Sequence, residues 1–506
     1  MVNKSTRRDF IKTSAAVTGV GFWVAAGNQL KAADSPNEKL GVAAVGVGGK
    51  GSSDIANAAR WGTIVGLCDI DKGQLEGKQK AYAQAETFLD YRDMLEKLDK
   101  KIDVVIVSAP DHMHAPAALQ AMRMKKHVYV QKPLTRTIYE ARMMGKIAKE
   151  SGVCTQMGNQ GSAFPNARKS IAQIRAGLLG DIKEVHVWTN RPIWPQGGDR
   201  QTIQSFRAEA QAKKDQLLAS SRDRDKRAAA EMDVDAMVAD KQAEINRNLE
   251  NIDWELWIGA GKYRDYYPGQ YHSFSWRGWW DFGSGALGDM ACHTFNMPYY
   301  SCDLRNPTSV QAISSGHNFD SFPSRSKIFF EFPANDWRSA VKATWYDGGN
   351  RPDEELLKGY DFNIQGNSGA LIIGEKGALY TFDDYCQTCQ YSKGVEDIAD
   401  VEYRPNSFIG DMGNDQAHSM ELFEAIQKND PSICFSNYTE NGGPLTETIL
   451  LGNLAVWAAS KPNEMGEKIE WDAENLKVTN NVQTPGVTDL IKPVYRECKG
   501  RGYRLD

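Results

Sequence analysis

Short apolar runs separated by amphipathic segments are the dominant pattern in the first third of the chain. The runs cover residues 40–45, 63–68, 102–108 and 127–130. They are apolar nearly throughout rather than alternating, which is typical of strands buried on both faces of a parallel sheet. Strands that alternate with helical segments of this length form strand–helix–strand units. The pattern therefore predicts an α/β domain with a doubly wound parallel sheet of the Rossmann type.

After Met157 the pattern changes to segments in which apolar and polar residues alternate. These segments cover residues 184–188, 309–313, 327–332, 339–345, 370–373 and 378–382. Alternation with a period of two predicts strands that have one buried face. Residues 34–157 are therefore predicted to form one domain, and residues 158–506 a second domain of the α+β class.

One segment of the second domain is strongly polar. Residues 199–251 include 21 charged residues and contain neither glycine nor proline. A charge-rich stretch without helix breakers predicts a solvated helical insertion or a partly disordered arm. One interpretation of this segment is a lid or a clasp between subunits. The other is an insertion on the protein surface without a specific role.

Residues 1–33 have the pattern of an export signal rather than of a folded element. Arg7 and Arg8 precede an uncharged stretch at residues 14–26, and small residues follow it. This order is typical of a signal peptide, and paired arginines are typical of the twin-arginine route. The stretch is shorter than the about 20 apolar residues that a membrane-spanning helix needs, so no membrane anchor is predicted. The expected location is the bacterial periplasm, and a basic, disordered N-terminus is the alternative.

Composition and charge narrow the classes of function. The chain has 506 residues, of which 41% are hydrophobic and 25% charged, as in soluble globular proteins with more than one domain. Its net charge of -5 offers no basic excess to neutralise phosphates, so nucleic acid is not an expected partner. Eight cysteines are too sparse for a disulfide scaffold. Cys386 and Cys389 are interpreted as a structural pair, with a disulfide after export as an option, and no catalytic metal is predicted.

A glycine-rich turn follows the first apolar run directly. Gly46, Gly48 and Gly51 form a G-x-G-x-x-G pattern that opens a segment with helical spacing. The first glycine permits a tight turn, the second lets the backbone approach a pyrophosphate, and the third lets helix and strand pack closely. Asp69 ends the next strand, where an acid accepts ribose hydroxyls and repels a 2′-phosphate. The pattern predicts NAD as the cofactor, with NADP less favoured, and Gly49 as a further contact in the same turn.

Further polar residues follow the later strands of the predicted sheet. His112 and His114 lie in the loop after the run at residues 102–108, and Lys132 follows the run at residues 127–130. Ligands of parallel α/β sheets bind beyond the carboxyl ends of the strands. These residues are therefore expected to lie at one ligand site.

The order of these motifs resembles that of the Gfo/Idh/MocA oxidoreductases, the family of glucose–fructose oxidoreductase and inositol dehydrogenase. The resemblance rests on the glycine turn, the Ala-Pro-Asp-x-x-His loop at residues 109–114, and the Lys132-Pro133 pair at a strand end. It implies that Lys132 contacts the substrate hydroxyl and the nicotinamide ribose, and that a bend at Pro133 aims it. It also implies that Pro110 and His114 line the cofactor side of the pocket.

The position before Lys132 departs from the family pattern. The family usually has Glu-Lys-Pro, whereas this chain has Gln131. Gln131 is interpreted as a cofactor contact, and what replaces the acid beside the lysine stays open.

The second half carries another part of the resemblance. Residues 276–293 look like the glycine-rich segment of the family that leads into Asp289-x-x-x-His293. Four-residue spacing places Asp289 and His293 on one helix face. The resemblance implies that His293 is the general base for a sugar hydroxyl, a role that suits an imidazole because its ordinary pKa is about 6.5. Asp289 would bind or orient the substrate, and a structural Asp–His pair is the alternative.

Aromatic and basic residues around that segment are interpreted as sugar contacts. Trp276, Arg277 and Arg191 are the predicted substrate-binding residues, since rings stack on sugar C–H faces and guanidinium groups donate to hydroxyls. The predicted catalytic residues are Lys132 together with the Asp and His of the helix motif.

The resemblance extends over nearly all of the chain after the signal. It implies that the second domain holds one open, mostly antiparallel sheet, that copies associate through this sheet as a homo-oligomer, and that a C-terminal segment packs back on the NAD domain. The predicted function is an NAD-dependent oxidoreductase acting on a ring hydroxyl of a sugar, glycoside or cyclitol, with a tightly bound, internally recycled cofactor. Two alternatives stay open: an NAD-dependent glycosidase that uses transient oxidation and elimination, and a member that binds sugar or nucleotide without turnover.

Overall fold

Residues 39–506 are described by the computed structural model, apart from residues 361, 363, 364, 397, 399 and 409–412. The predicted signal peptide at residues 1–33 lies outside the described residues. Within them, no helix is long and apolar enough to cross a membrane.

The first sheet has six parallel strands in the order β3-β2-β1-β4-β5-β6. They are β1 (Leu40–Val45), β2 (Gly62–Cys68), β3 (Glu86–Phe88), β4 (Val104–Val107), β5 (His127–Gln131) and β6 (Thr155–Gly158). Along β1, Ala43 and Val45 pack into one hydrophobic cluster while Val42 and Ala44 pack into another. The strand is therefore buried on both faces, which confirms the predicted parallel sheet.

Helices connect these strands. They are α1 (Gly49–Ala58), α2 (Lys72–Ala81), α3 (Tyr91–Lys97), α4 (Asp111–Arg123) and α5 (Ile138–Ser151). Asp71, close behind β2, caps α2 by accepting hydrogen bonds from the backbone of Gly73 and Gln74. The turns that precede α1 and α4 lie at the carboxyl ends of β1 and β4, where the sequence places the glycine turn and the histidine loop.

The second sheet has nine strands in the order β13-β12-β11-β7-β10-β9-β8-β14-β15. They are β7 (Ile182–Trp188), β8 (Ser309–Ser314), β9 (Ser326–Phe332), β10 (Val341–Tyr346), β11 (Gly369–Gly374), β12 (Gly377–Thr381), β13 (Cys389–Tyr391), β14 (Ile469–Asp472) and β15 (Lys477–Val478). Only β7 and β10 pair in parallel, and the other neighbours are antiparallel. The expected mostly antiparallel sheet is confirmed.

The helices of this half are α6 (Pro165–Arg175), α7 (Ile203–Ala219), α8 (Asp223–Glu231), α9 (Val234–Asn251), α10 (Trp254–Ile258), α11 (Gly285–Thr294), α12 (Asn296–Cys302), α13 (Glu354–Lys358), α14 (Asn414–Lys428) and α15 (Gly443–Ala458). All ten residues of α11 are buried. A Cβ on Gly452 of α15 would lie 2.6 Å from Leu287 of α11 and 2.9 Å from Phe330 of β9. The absence of that Cβ lets α11 pack closely between the sheet and α15.

The charged segment at residues 199–251 forms α7, α8 and α9, and each of these helices buries only one or two residues. Both ends of the segment are fixed. Near its start, Arg200 pairs with Asp281 at 2.6 Å, and near its end Lys72 of α2 donates to the carbonyl of Glu250 at 2.7 Å. The segment therefore begins and ends next to the loops that surround the candidate site.

The C-terminal residues contact helices of the first sheet. Arg92 of α3 donates to the carbonyl of Cys498 at 3.2 Å, and Arg501 pairs with Asp93 at 2.6 Å. All eight cysteines are free thiols, so the Cys386–Cys389 pair forms no disulfide in this structure. The domain boundary placed after Met157 stays a prediction.

Candidate active site

A cleft of about 620 Å³ runs along the carboxyl ends of the first sheet and against α11. Thirteen of the fourteen residues predicted for the site line it, and Gly51 is the one that does not. The thirteen are Gly46, Gly48, Gly49, Asp69, Pro110, His114, Gln131, Lys132, Arg191, Trp276, Arg277, Asp289 and His293. His112 does not line the cleft, because its Nε2 contacts the carbonyl of Trp257 at 2.9 Å within the core. The fold thus gathers residues from both halves of the chain.

The glycine turn is closely packed at Gly46, Gly48 and Gly51 and open at Gly49. Gly46 has a φ of +82°, and a Cβ there would lie 2.7 Å from the carbonyl oxygen of Ser108. A Cβ on Gly51 would lie 2.1 Å from the carbonyl oxygen of Gly46, so this glycine lets α1 pack against β1. Around Gly49, by contrast, nothing lies within 4 Å of where a Cβ would stand. A glycine turn at the N-terminus of a helix fits a pyrophosphate.

Asp69 lies at the end of β2 and is held by the backbone of the turn. Its Oδ2 accepts a hydrogen bond from the N–H of Val47 at 2.8 Å, and its Oδ1 accepts one from the N–H of Asp71 at 3.0 Å. Burial raises the pKa of Asp69, and the two backbone donors oppose that rise. Each carboxylate oxygen keeps a further lone pair for a ribose hydroxyl. The turn and Asp69 together fit a dinucleotide.

Lys132 and Asp289 form the central ion pair of the cleft. The Lys132 Nζ donates to Asp289 Oδ1 at 2.9 Å and to its carbonyl oxygen at 2.7 Å. Arg277 Nε donates to the same Oδ1 at 3.1 Å. Burial alone would raise the pKa of Asp289, but the charges of Lys132 and Arg277 outweigh it and lower this pKa to about 2. Asp289 therefore stays an anion that holds both cations.

His293 lies one helical turn after Asp289 and bears no charge of its own. Burial and the charge of Lys132 lower the pKa of His293 well below its usual range. Its Nδ1 is buried and has no hydrogen-bond partner among the described residues. The ring of Tyr385 packs edge-on against the imidazole, with ring centroids 4.9 Å apart. A neutral imidazole with a free nitrogen is a form that can accept a proton.

His114 lies at the cleft edge as a link between two loops. Its Nδ1 lies 2.8 Å from the carbonyl oxygen of Pro133, and its Nε2 lies 2.7 Å from that of Ala109. Burial lowers the pKa of His114 to about 4. A neutral imidazole has one N–H, so His114 donates to one of these two carbonyls and lies between the loop before α4 and the Lys132-Pro133 strand end.

Gln131 faces a carboxylate that the sequence analysis did not identify. Its Nε2 donates to Asp54 Oδ2 at 2.9 Å, and the hydroxyl of Ser108 donates to the same oxygen at 2.8 Å. Lys50 of the glycine turn pairs with Asp54 Oδ1 at 3.1 Å. Asp54 is buried on α1, and Gln131 therefore bonds to an acid of the neighbouring helix instead of supplying one itself. In the sequence, the replacement of the usual Glu by Gln131 was the feature that could have suggested a carboxylate facing this position.

Asp111 is a second carboxylate of the cleft that was not predicted. It is buried at the start of α4, and the hydroxyl of Ser284 donates to its Oδ2 at 2.6 Å. Burial raises the pKa of Asp111 to about 7, although Ser284 and the charge of Arg277 act in the other direction. The cleft thus combines one carboxylate that stays ionised, Asp289, with one that titrates near neutrality. Asp111 stands in the Ala-Pro-Asp motif, so the sequence did contain a signal for it.

The predicted sugar contacts lie at the outer part of the cleft. The guanidinium of Arg277 stacks over the Trp276 ring at 4.2 Å, and Arg191 follows β7. In the described part of the chain, no group of three or more His, Cys, Asp and Glu residues is placed to hold a metal ion.

Two family models match the chain, one in each half. "Oxidoreductase family, NAD-binding Rossmann fold" matches residues 40–159, and "Oxidoreductase family, C-terminal alpha/beta domain" matches residues 235–421. Together they span more than half of the sequence. The chain belongs to the Gfo/Idh/MocA oxidoreductase family, and its cofactor is NAD.

Individual relatives are more distant. A glycosyl hydrolase family 109 protein of Solibacter usitatus is 30% identical over 197 residues, which cover 36% of this chain and 45% of that protein. The inositol 2-dehydrogenase of Salmonella paratyphi B is 29% identical over 116 residues, which cover 22% of this chain and 34% of that enzyme. The matched part thus spans less than half the length of these curated relatives.

The solved structure of the WlbA dehydrogenase from Bordetella pertussis, in complex with NADH and UDP-GlcNAcA, is similar in fold. It superposes with a TM-score of 0.52 at 15% identity and covers 85% of this chain and 98% of its own. This likeness supports the two-sheet architecture.

Proposed function

We propose that the protein is an NAD-dependent oxidoreductase that acts on a ring hydroxyl of a sugar, glycoside or cyclitol. The observation that carries this proposal is the meeting of Lys132, Asp289 and His293 in the cleft that also contains the glycine turn and Asp69. Family membership supports it, because both family models describe oxidoreductases.

In this proposal each residue of the cleft has a separate task. When bound, the nicotinamide ring supplies the hydride acceptor, with its pyrophosphate at the glycine turn and a ribose at Asp69. His293 takes the proton of the substrate hydroxyl on its neutral imidazole, which lines the cleft. Lys132 donates a hydrogen bond to the same hydroxyl oxygen and stabilises its developing negative charge. Asp289 keeps Lys132 and Arg277 in place.

A glycosidase that passes through an oxidised intermediate is the second candidate. The relative from Solibacter usitatus, a glycosyl hydrolase family 109 protein, favours it. In this chemistry a ketone in the sugar ring acidifies the neighbouring C–H bond, which allows the leaving group to be eliminated. Water would then add to the resulting double bond before the ketone is reduced again. Asp111, whose pKa lies at about 7, is placed in the cleft to supply or take up a proton near neutral pH.

We further propose that the protein is exported by the twin-arginine route to the bacterial periplasm and retains its cofactor there. The paired arginines at residues 7 and 8 support export. Outside the cytoplasm no pool of NAD is expected to exchange with the protein. The enzyme would stay active if its bound NAD were reduced and oxidised again without leaving the protein. A homo-oligomer formed through the second sheet is part of the same proposal.

Product analysis tests the proposed function. The purified protein is incubated with free sugars, cyclitols and glycosides, and the products are identified by mass spectrometry. Keto-sugars would support the oxidoreductase, and a free aglycone with unoxidised sugar would support the glycosidase. Absence of any turnover across the panel, with cofactor present, would contradict both and favour a binding protein.

A further inference from the structure

Two large apolar side chains stand exposed at the mouth of the catalytic cleft. Ile193 is 65% exposed and Phe274 is 45% exposed, and both line the cleft. Burial of such side chains by a ligand is favourable, so their place in a ligand cleft makes them available to an apolar group of the substrate.

The loops that carry these two residues are anchored. Next to Ile193, the Trp194 indole donates to Gln196 at 2.9 Å. Gly278 allows the two loops to touch, since a Cβ there would lie 2.4 Å from the carbonyl oxygen of Pro195. On the other loop, Arg277 donates to the carbonyl of Phe274 at 3.2 Å. The exposed side chains therefore project from loops that are held in place by hydrogen bonds and close packing.

The apolar mouth is continuous with the catalytic residues. The guanidinium of Arg277 lies 4.6 Å from the centre of the Phe274 ring, and its Nε binds Asp289 at 3.1 Å. Asp289 in turn binds Lys132. If a hydroxyl of the sugar lies at Lys132, the nearer substituents of the sugar ring would lie close to Arg277 and the more distant ones close to Phe274.

We propose that the mouth formed by Ile193 and Phe274 is a subsite for an apolar, preferably aromatic, aglycone, so that the substrate is a glycoside rather than a free monosaccharide or cyclitol. This inference rests on the proposed function of the cleft and narrows its substrate class. Neither side chain offers a hydrogen bond, so the hydroxyls of a second sugar would lose water there without gaining a new partner, whereas an apolar ring has no hydroxyls to desolvate.

Binding to the NAD-loaded protein tests this proposal without requiring turnover. The probes are matched pairs of methyl and para-nitrophenyl glycosides of glucose, galactose and mannose, in both anomers, titrated by calorimetry. For the sugar and anomer that bind, we expect the Kd of the aryl glycoside to be about ten-fold lower than that of the methyl glycoside. Burial of one aromatic ring against apolar side chains implies a difference of this size.

Two substitutions locate the effect. Phe274→Ser and Ile193→Ser are expected to remove most of the aryl preference while leaving the affinity for the methyl glycoside unchanged. Leu218→Ser and Phe319→Ser serve as controls, because these side chains are 49% and 38% exposed but do not line the cleft. NADH binding by all four variants verifies that each is folded.

The outcomes separate this inference from the function on which it rests. Equal affinity for methyl and aryl glycosides, or a loss in Phe274→Ser that is the same for both, would overturn the aglycone subsite and leave the oxidoreductase proposal standing. Binding of free sugars or cyclitols in preference to every glycoside would do the same. Failure of all sugars, cyclitols and glycosides to bind would overturn the proposed function together with the subsite.

Discussion

The ammonium of Lys132 donates to two oxygens of Asp289, the side-chain Oδ1 at 2.9 Å and the main-chain carbonyl at 2.7 Å. Lys132 follows the last residue of β5 in the first sheet, whereas Asp289 lies in α11 beside the second sheet. The proposed catalytic residues are therefore brought together only where the two halves of the chain meet. The same pair fixes the protonation of the site, because it keeps Asp289 ionised.

Replacing either reactive side chain should lower turnover without removing the cofactor. We expect Lys132→Ala and His293→Ala each to reduce kcat by about 10²–10⁴-fold, the usual contribution of a positioned acid or base. NADH affinity, measured by fluorescence titration, should stay within a few fold of wild type. Lys149→Ala, an exposed lysine of α5 outside the cleft, is the matched control. Near-wild-type rates in both variants would remove these residues from the mechanism.

Substitutions at Gln131 and Asp54 should have non-additive effects on the free energy of unfolding. Gln131→Glu places two carboxylates against each other in a buried site, so we expect the free energy of unfolding to fall by about 1–3 kcal/mol. Adding Asp54→Asn restores one donor opposite one carboxylate. The double variant should therefore recover at least half of the loss in urea denaturation. Strictly additive effects of the two substitutions would show that the side chains do not interact.

The raised pKa of Asp111 makes a prediction about pH. A carboxyl group whose pKa is higher in the folded state, here about 7 against an ordinary 3.8, contributes stability that is complete below its ordinary pKa and is lost as the pH rises through the folded value. The Asn side chain in the Asp111→Asn variant cannot ionise. As the pH rises from 3.8 to about 7, the free energy of unfolding of this variant should therefore fall less than that of wild type, by up to about 4 kcal/mol. Parallel denaturation curves at acid and slightly alkaline pH measure this difference.

The exposed Asp265→Asn variant is the control for that experiment, and its pH dependence should match wild type. A pH dependence of Asp111→Asn that is identical to wild type would mean that the pKa of Asp111 is the same in the folded and unfolded states.

A cofactor retained after export should be visible in the purified protein. We expect one NAD(H) per chain in the supernatant of the denatured protein, quantified by mass spectrometry, without any added during purification. Retention of this kind corresponds to a Kd near 1 nM, or about −12.3 kcal/mol, which pyrophosphate, ribose and adenine contacts would supply together. A protein that purifies empty and consumes added NAD steadily would favour an ordinary, freely exchanging dehydrogenase.

The fold was predictable where burial and pattern agree. The continuous apolar runs identified β1, β2, β4 and β5, and the alternating segments identified β7 to β12, because in these strands each side chain faces either core or solvent according to its polarity. Five strands were missed: β3, β6, β13, β14 and β15. β3 has only three residues, all partly buried, which is too short for a clear hydrophobic pattern. β6 contains Gln156, which is buried only because its amide donates to Glu421 and to the carbonyl of His418.

The site was predictable residue by residue but not as a set of contacts. Motifs pointed to Lys132, Asp289 and His293, and the four-residue spacing left a structural pair of Asp289 with His293 as an alternative. In the structure Asp289 binds Lys132 and Arg277 instead, and no hydrogen bond joins it to His293 in the described part of the chain. Asp54 was missed for the same reason, since its partner Gln131 is remote in sequence and meets it only through the parallel sheet.

Titration with NADH is the most direct test of the cleft as an NAD site. Energy transfer from tryptophans that line the cleft, such as Trp257 and Trp276, reports binding without any knowledge of the substrate. After removal of any retained cofactor, wild type should bind one NADH per chain and prefer it to NADPH, because Asp69 accepts the ribose hydroxyls and repels a phosphate. Asp69→Ala should weaken NADH binding and reduce that preference. Wild-type protein that binds NADPH more tightly than NADH, or that shows no saturable binding of either, would contradict the assignment.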